Sequence, residues 1–310
     1  MDAVPVDLVQ RVMESMLDSS KIEHFKLLSG IFGLVANGMN PTKGTLFIGC
    51  DRETKQIRAQ MVFDTHNSSL LFDLGDDEKA ERAKKIFEDT FRARSFIKFD
   101  VALSSERVDN PLTEFVNHPV LQFILRRLIA INRICLILIG EDLTPILDPL
   151  LTIGPFVREL MALPDSEASV QEFLTKNSQF PISRLTRVTF EESDVAHMDL
   201  YRTILRDSNI EFLDMGQGDL TTEVLTDWAG MEDPYTNKKI LCQDMTVLEE
   251  LLETCGPFEV AAEIPEAILD SYVQLEGRQP EDGHFKDHPT VAERRVYVCQ
   301  AERRRHLYFV

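Results

Sequence analysis

The sequence predicts an α/β protein: an N-terminal helical module, then a β meander, then a run of alternating strand and helix units. Three observations predict it. Apolar residues recur at helical spacing in the first 40 positions, with Leu8, Val12 and Met16 at i, i+4 and i+8. Short β-branched and aromatic runs separated by polar turns follow. From residue 133 onward, strand-length apolar runs alternate with amphipathic stretches at intervals of about 20–29 residues. The boundaries read as 1–40 for the helical module, 41–132 for the meander and its connecting helices, 133–277 for the βα repeats, and 278–310 for C-terminal strands.

In the helical module, Pro5 suits a helix start, and "KIEHFKLLSGIFGLV" continues the apolar spacing until Gly38-Met39-Asn40-Pro41 ends it. "TLFIG", "QIRAQMVFD" and "SSLLFDL" are strands of the meander, with Asp51–Lys55 and His66–Ser68 as turns. Asp76, Asp77 and Glu78 open a helix with acids where the macrodipole favours them, and Ala83, Ile86, Phe87 and Phe91 form its apolar side. "SFIKFDVAL" is a further strand. A helix is expected from Pro111, interrupted at Pro119.

Six strands are expected in the repeat region: "RICLILIG", "FVRELMAL", "RLTRVTF", "NIEFLDM", "KKILCQD" and "FEVAAEI". The first five each precede a helical stretch, among them "SVQEFLTKN", "HMDLYRTILRD" and "LTTEVLTDWAG". The interval lies in the leucine-rich-repeat range, and Leu185, Val188, Phe190 and then Ile210, Leu213, Met215 fit the L-x-x-L-x-L spacing. A doubly wound sheet is the competing arrangement, although no Gly-rich phosphate loop follows the first strand. Acids at strand ends, as in "GED" and "FEES", suit repeated helix N-caps. Trp228 closes an apolar helical face and reads as core. The tail "RRVYVCQAERRRHLYFV" reads as a ribbon or edge strands, with Arg303-Arg304-Arg305 at a solvated end.

Charge is unevenly placed. The formal net charge is −19; residues 1–130 carry 17 Lys+Arg against 19 Asp+Glu, and residues 131–310 carry 16 against 33. The second part repels phosphate backbones, which argues against nucleic-acid binding. No apolar run approaches the ~20 residues of a membrane span, and no basic leader with a cleavage site opens the chain. The expectation is a cytoplasmic or nuclear protein. Cys50, Cys135, Cys242, Cys255 and Cys299 show no C-x-x-C or finger spacing and read as reduced structural thiols.

The sequence carries no phosphate loop, dinucleotide fingerprint, nucleophile elbow or H-E-x-x-H motif. "GHFKDH" is the one cluster with metal-ligand chemistry, since His284, Asp287 and His288 combine two imidazoles with a carboxylate. Pro280, Gly283 and Pro289 around it suggest a loop, so no metal and no cofactor is expected, and a metal-dependent hydrolase is kept only as the reading from another class.

The N-terminal "VPVDLVQRVMESML…FKLLSGIFGLV" resembles a degenerate F-box, with Val4-Pro5 standing at the usual Leu-Pro pair. The whole chain is similar to the nematode F-box-like proteins, many of which begin with Met-Asp-x-Val-Pro and continue into βα repeats. The resemblance implies a non-enzymatic adaptor. Val4, Pro5, Leu8, Val12 and Met16 would dock the linker subunit of a cullin-type ubiquitin ligase, and the repeats would hold an unknown protein target. Target binding would fall on outward strand positions, for which Glu159, Met161, Arg187, Thr189, Phe212, Asp214 and Gln243 are the candidates. A repeat interaction protein without ligase docking is the neighbouring alternative.

Overall fold

The computed structural model describes residues 41–50, 57–63, 68–73, 76–93, 95–104, 118–129, 133–140, 153–178, 183–207, 209–217, 220–243, 255–280, 283–301 and 304–310, with isolated positions at 35, 131, 143 and 147. The protein is mixed α/β, as expected. The helical module proposed for 1–40 lies outside the described residues apart from Val35, which is helical and buried. The chain divides into two compact units, residues 1–160 with 168–184, and residues 161–167 with 185–310.

The first unit contains β1 (Pro41–Cys50), β2 (Ile57–Phe63) and β3 (Ser68–Asp73), which form the expected antiparallel meander. α1 (Asp77–Ala93) then returns the chain to β4 (Ser95–Ser104), which pairs parallel to β1. Asp76 starts α1 by accepting from the Lys79 backbone N–H at 3.1 Å. Ala80, Ala83 and Phe87, spaced along one helix face, are fully buried, and the Phe87 ring meets Phe99 of β4 edge-on at 6.5 Å. α2 (Pro119–Leu128) begins at the proline that was expected to interrupt it, with the His118 ring nitrogen accepting from the Val120 N–H at 3.3 Å. β5 (Ile134–Ile139) runs parallel to β4, and β6 (Val157–Ala162), whose last two residues belong to the second unit, follows β5 in the order β3-β2-β1-β4-β5-β6. α3 (Glu167–Asn177) follows β6 and buries Val170, Phe173 and Leu174.

The second unit opens with the repeat: β7 (Arg187–Phe190), α4 (Met198–Arg206), β8 (Phe212–Gln217), α5 (Thr221–Ala229) and β9 (Lys238–Gln243). β7, β8 and β9 pair in parallel and in chain order. Val188, Phe190, Leu213, Met215, Ile240 and Cys242 are all buried on one sheet face. α4 covers it with Tyr201 against Phe190 at 5.1 Å, and α5 sets Trp228 beside Phe309 at 5.5 Å. Trp228 is core, as its helical position implies. The helix after β7 is capped one residue later than "FEES" suggests: Asp194 accepts from the Ala196 N–H at 2.8 Å in the short 3₁₀ turn Val195–His197.

The rest of this unit departs from the repeat. The expected strand "FEVAAEI" is reduced to β10 (Glu259–Val260), both residues exposed, and is followed by an unanticipated helix, α6 (Glu266–Glu276). β11 (Gly283–Asp287), β12 (Arg295–Ala301) and β13 (Arg304–Phe309) complete the unit in the order β7-β8-β9-β13-β12-β11-β10. The tail is therefore not at an edge. β13 is antiparallel to both β9 and β12, and every residue from Arg305 to Phe309 is buried. A strand buried on both faces reads as a continuous run without alternation, and it belongs in a sheet interior. Arg305, expected at a solvated end, has no exposed surface. α6 covers the face opposite α4 and α5, where Ile268 and Tyr272 pack with Tyr297, Cys299 and Tyr308.

Candidate recognition surface

Four of the residues chosen from the sequence, Arg187, Thr189, Phe212 and Asp214, come together on one face of the second unit. Parallel pairing sets Arg187 opposite Phe212 and Thr189 opposite Asp214. Side chains alternate across a strand, so these four face away from α4 and α5 while Val188 and Leu213 between them face the core. All four are half-buried, whereas Val188 and Leu213 have essentially no exposed surface.

One guanidinium organises the group. The Arg187 Cζ lies 4.2 Å from the Phe212 ring centroid, within cation–π range. Its Nη2 stands 3.7 Å from Asp214 Oδ2, and its Nε donates to Thr189 Oγ1 at 3.4 Å. Asp214 also accepts from the Gly216 N–H at 3.1 Å. Burial raises the Asp214 pKa above its ordinary 3.8; the Gly216 N–H, Arg187 and Arg304 pull it down without overcoming that cost. A shallow pocket of about 220 Å³ opens here, with Thr189, Asp214, Leu241 and Arg304 in its wall.

The same row continues into β13 through the pairing of Leu241 with both Asp214 and His306. The His306 Nε2 is 2.8 Å from Glu276 Oε1 at the end of α6, and its ring lies 4.8 Å from Tyr272 and 6.3 Å from Tyr308. Burial holds the imidazole below its ordinary pKa of 6.5 despite the carboxylate, so at neutral pH it is the neutral tautomer donating from Nε2. Sequence reasoning missed this contact, because nothing local to "RRHLYF" announces that β13 will sit beside β9.

Glu159, Met161 and Gln243 lie on other strands, the first two on β6 and the last on β9. Glu159 is held by Arg133 in the first unit, with Nε and Nη2 at 2.6 and 2.5 Å from one carboxylate oxygen. Met161 is exposed. Gln243 pairs through its backbone with Arg304 and Gln217, and its side chain is outside the described residues. Val4, Pro5, Leu8, Val12 and Met16 lie outside the described residues altogether.

The metal reading meets a different geometry. "GHFKDH" is not a loop but β11 up to Asp287. His284 and Asp287 are three apart, so they point to opposite faces of that strand. Asp287 forms a two-pronged pair with Arg295, at 2.5 and 3.1 Å. His288 uses both ring nitrogens: Nε2 donates to the Trp228 carbonyl at 2.9 Å, and Nδ1 accepts from the Val291 N–H at 3.0 Å. Among the described residues, no three His, Cys, Asp or Glu side chains converge as a metal site, and no helix is long and apolar enough to cross a membrane.

No family model matches the chain, and no match was found among curated proteins or solved structures.

Proposed function

We propose that the protein is a non-enzymatic adaptor whose second unit holds a protein target on the half-exposed face of β7 and β8, and whose first 40 residues dock the linker subunit of a cullin-type ubiquitin ligase in the cytoplasm or nucleus. The observation that carries the target half is the Arg187–Phe212 stack flanked by Thr189 and Asp214. A planar cation preordered on an aromatic ring offers apolar area and directional donors at low entropic cost, and such Arg and aromatic side chains dominate binding energy at protein interfaces. The docking half rests on the likeness of Val4, Pro5, Leu8, Val12 and Met16 to an F-box helix pattern.

A photo-crosslinking amino acid placed at Thr189, and separately at Val195 on the helical side, tests the surface. The proposal expects one protein captured from Thr189 and not from Val195, with capture lost when Arg187→Glu and Phe212→Ala are combined and the thermal melt is retained. Capture that is identical from both positions, or unaffected by the double substitution, contradicts it.

A further inference from the structure

A pocket of about 630 Å³ opens in the second unit where β8 and β9 begin and β13 ends. That size lies within the ~300–1,000 Å³ of small-molecule sites. Its apolar lining includes the edges of the nearly buried Leu205 on α4, Ile268 on α6 and Phe309 on β13, with the more exposed Ala267 and Val310 beside them. Its charged side chains are mostly cationic. Arg206, Lys239 and Arg294 border the pocket, and their side chains form no hydrogen bond or ion pair among the described residues. Lys238 also lines the pocket, but its buried ammonium donates to the carbonyls of Asp207 and Ile210. Only two side-chain carboxylates, Glu211 and Asp233, stand at the rim, and both are exposed.

The surroundings make this placement unusual. Residues 131–310 carry twice as many acids as bases, yet four basic side chains meet here against two acidic ones. Arg206, Lys239 and Arg294, which have no ion partner among the described residues, repel one another around one opening, an effect that solvent screens. A bound anion relieves that repulsion, and the apolar wall rewards a ligand with a hydrocarbon or aromatic body.

We propose that this pocket binds an amphiphilic organic anion, a carboxylate or phosphate head carried on an apolar body. The head lies among Lys239, Arg206 and Arg294, and the body lies on Leu205, Ile268 and Phe309. The site is separate from the Arg187 surface and does not depend on the adaptor reading.

Calorimetric titration of the full chain with decanoate, dodecyl phosphate, decanol and inorganic phosphate, each below its aggregation concentration, tests it. Saturable binding of one equivalent of decanoate or dodecyl phosphate is expected, and whichever is tighter identifies the head. Decanol and inorganic phosphate should each bind at least about tenfold more weakly, because each lacks one half of the recognition. Lys239→Met with Arg294→Met should weaken anion binding by about tenfold or more. Glu211→Gln with Asp233→Asn should tighten it, a gain that misfolding cannot produce. The proposal is overturned if neither amphiphilic anion binds saturably up to millimolar concentration, if decanol binds as well as decanoate, or if neither double substitution alters the affinity.

Discussion

Gly216 packs against the Glu191 backbone so closely that a Cβ at this position would overlap the Glu191 carbonyl oxygen, and that of Phe190 as well. Its φ is +56°, in the left-handed region. The close approach lets the Gln217 N–H reach the Glu191 carbonyl at 2.8 Å, at the irregularity where β8 shifts register against β9. Gly216→Ala therefore carries both a steric and a conformational cost of roughly 2–4 kcal/mol together. Gly49→Ala is the control, since a Cβ there meets nothing closer than 3.8 Å; it should change stability by less than about 1 kcal/mol. Urea unfolding of both variants measures the contrast.

Leu213 lies beneath the Arg187–Phe212 face, paired between Val188 and Ile240 and 1% exposed. Truncation to Ala should cost about 2–5 kcal/mol, the range for buried leucines that leave a cavity. An unchanged melting temperature would mean that the inward register of β8 is wrong.

Asp214 gives the candidate recognition surface a pH signature. Its folded pKa is raised above 3.8, so between 3.8 and that raised value the folded state binds more protons than the unfolded state. Stability then falls as pH rises through this window, and the cost persists at neutral pH. Asp214→Asn should raise the urea midpoint at pH 7, and the gain should shrink as the pH is lowered to 4. A midpoint that drops at pH 7 would show that the pairing with Arg187 outweighs burial.

His306 has the opposite sign. Its folded pKa is below 6.5, so on acidification the unfolded state takes up the proton first, and stability is lost as pH falls from about 6.5 toward the folded value. His306→Gln keeps a donor for Glu276 and removes the titration. Its urea midpoint should fall less than that of the wild type between pH 7 and 5.5.

The sequence shows some of this architecture plainly and hides the rest for a physical reason. β7, α4, β8, α5 and β9 are readable because each buries one face: Val188 and Phe190, Leu213 and Met215, and Ile240 and Cys242 each stand two apart on their strand, and Tyr201, Ile204 and Leu205 fall at helical spacing. The Arg187–Phe212 surface was readable from the same alternation, since whatever faces away from Leu213 faces outward. β13 was misplaced because its position depends on pairing with β9, some 60 residues earlier in the chain, and sequence periodicity carries no information about which strand is the neighbour. α6 does carry a sequence signal: Pro265 and Glu266 at its start, Ile268 and Tyr272 one turn apart, and Gly277 closing it at φ +72°. The anion pocket had none, because Arg206, Lys239 and Arg294 come from three separate segments that only the tertiary fold brings together.

The adaptor proposal stands or falls on docking to the ligase, and Leu8 is the residue on which to test it. The measurement is equilibrium binding of the purified full chain to the linker subunit at micromolar concentrations, for the wild type and for Leu8→Asp, with a thermal melt of each. A docking face leaves Leu8 available to a partner, so the account predicts that the wild type binds while the variant melts normally and does not. A folded wild type that shows no binding contradicts the adaptor reading. So does a Leu8→Asp variant that loses its fold outright, as a charge buried without a partner would cause, because Leu8 would then belong to the core.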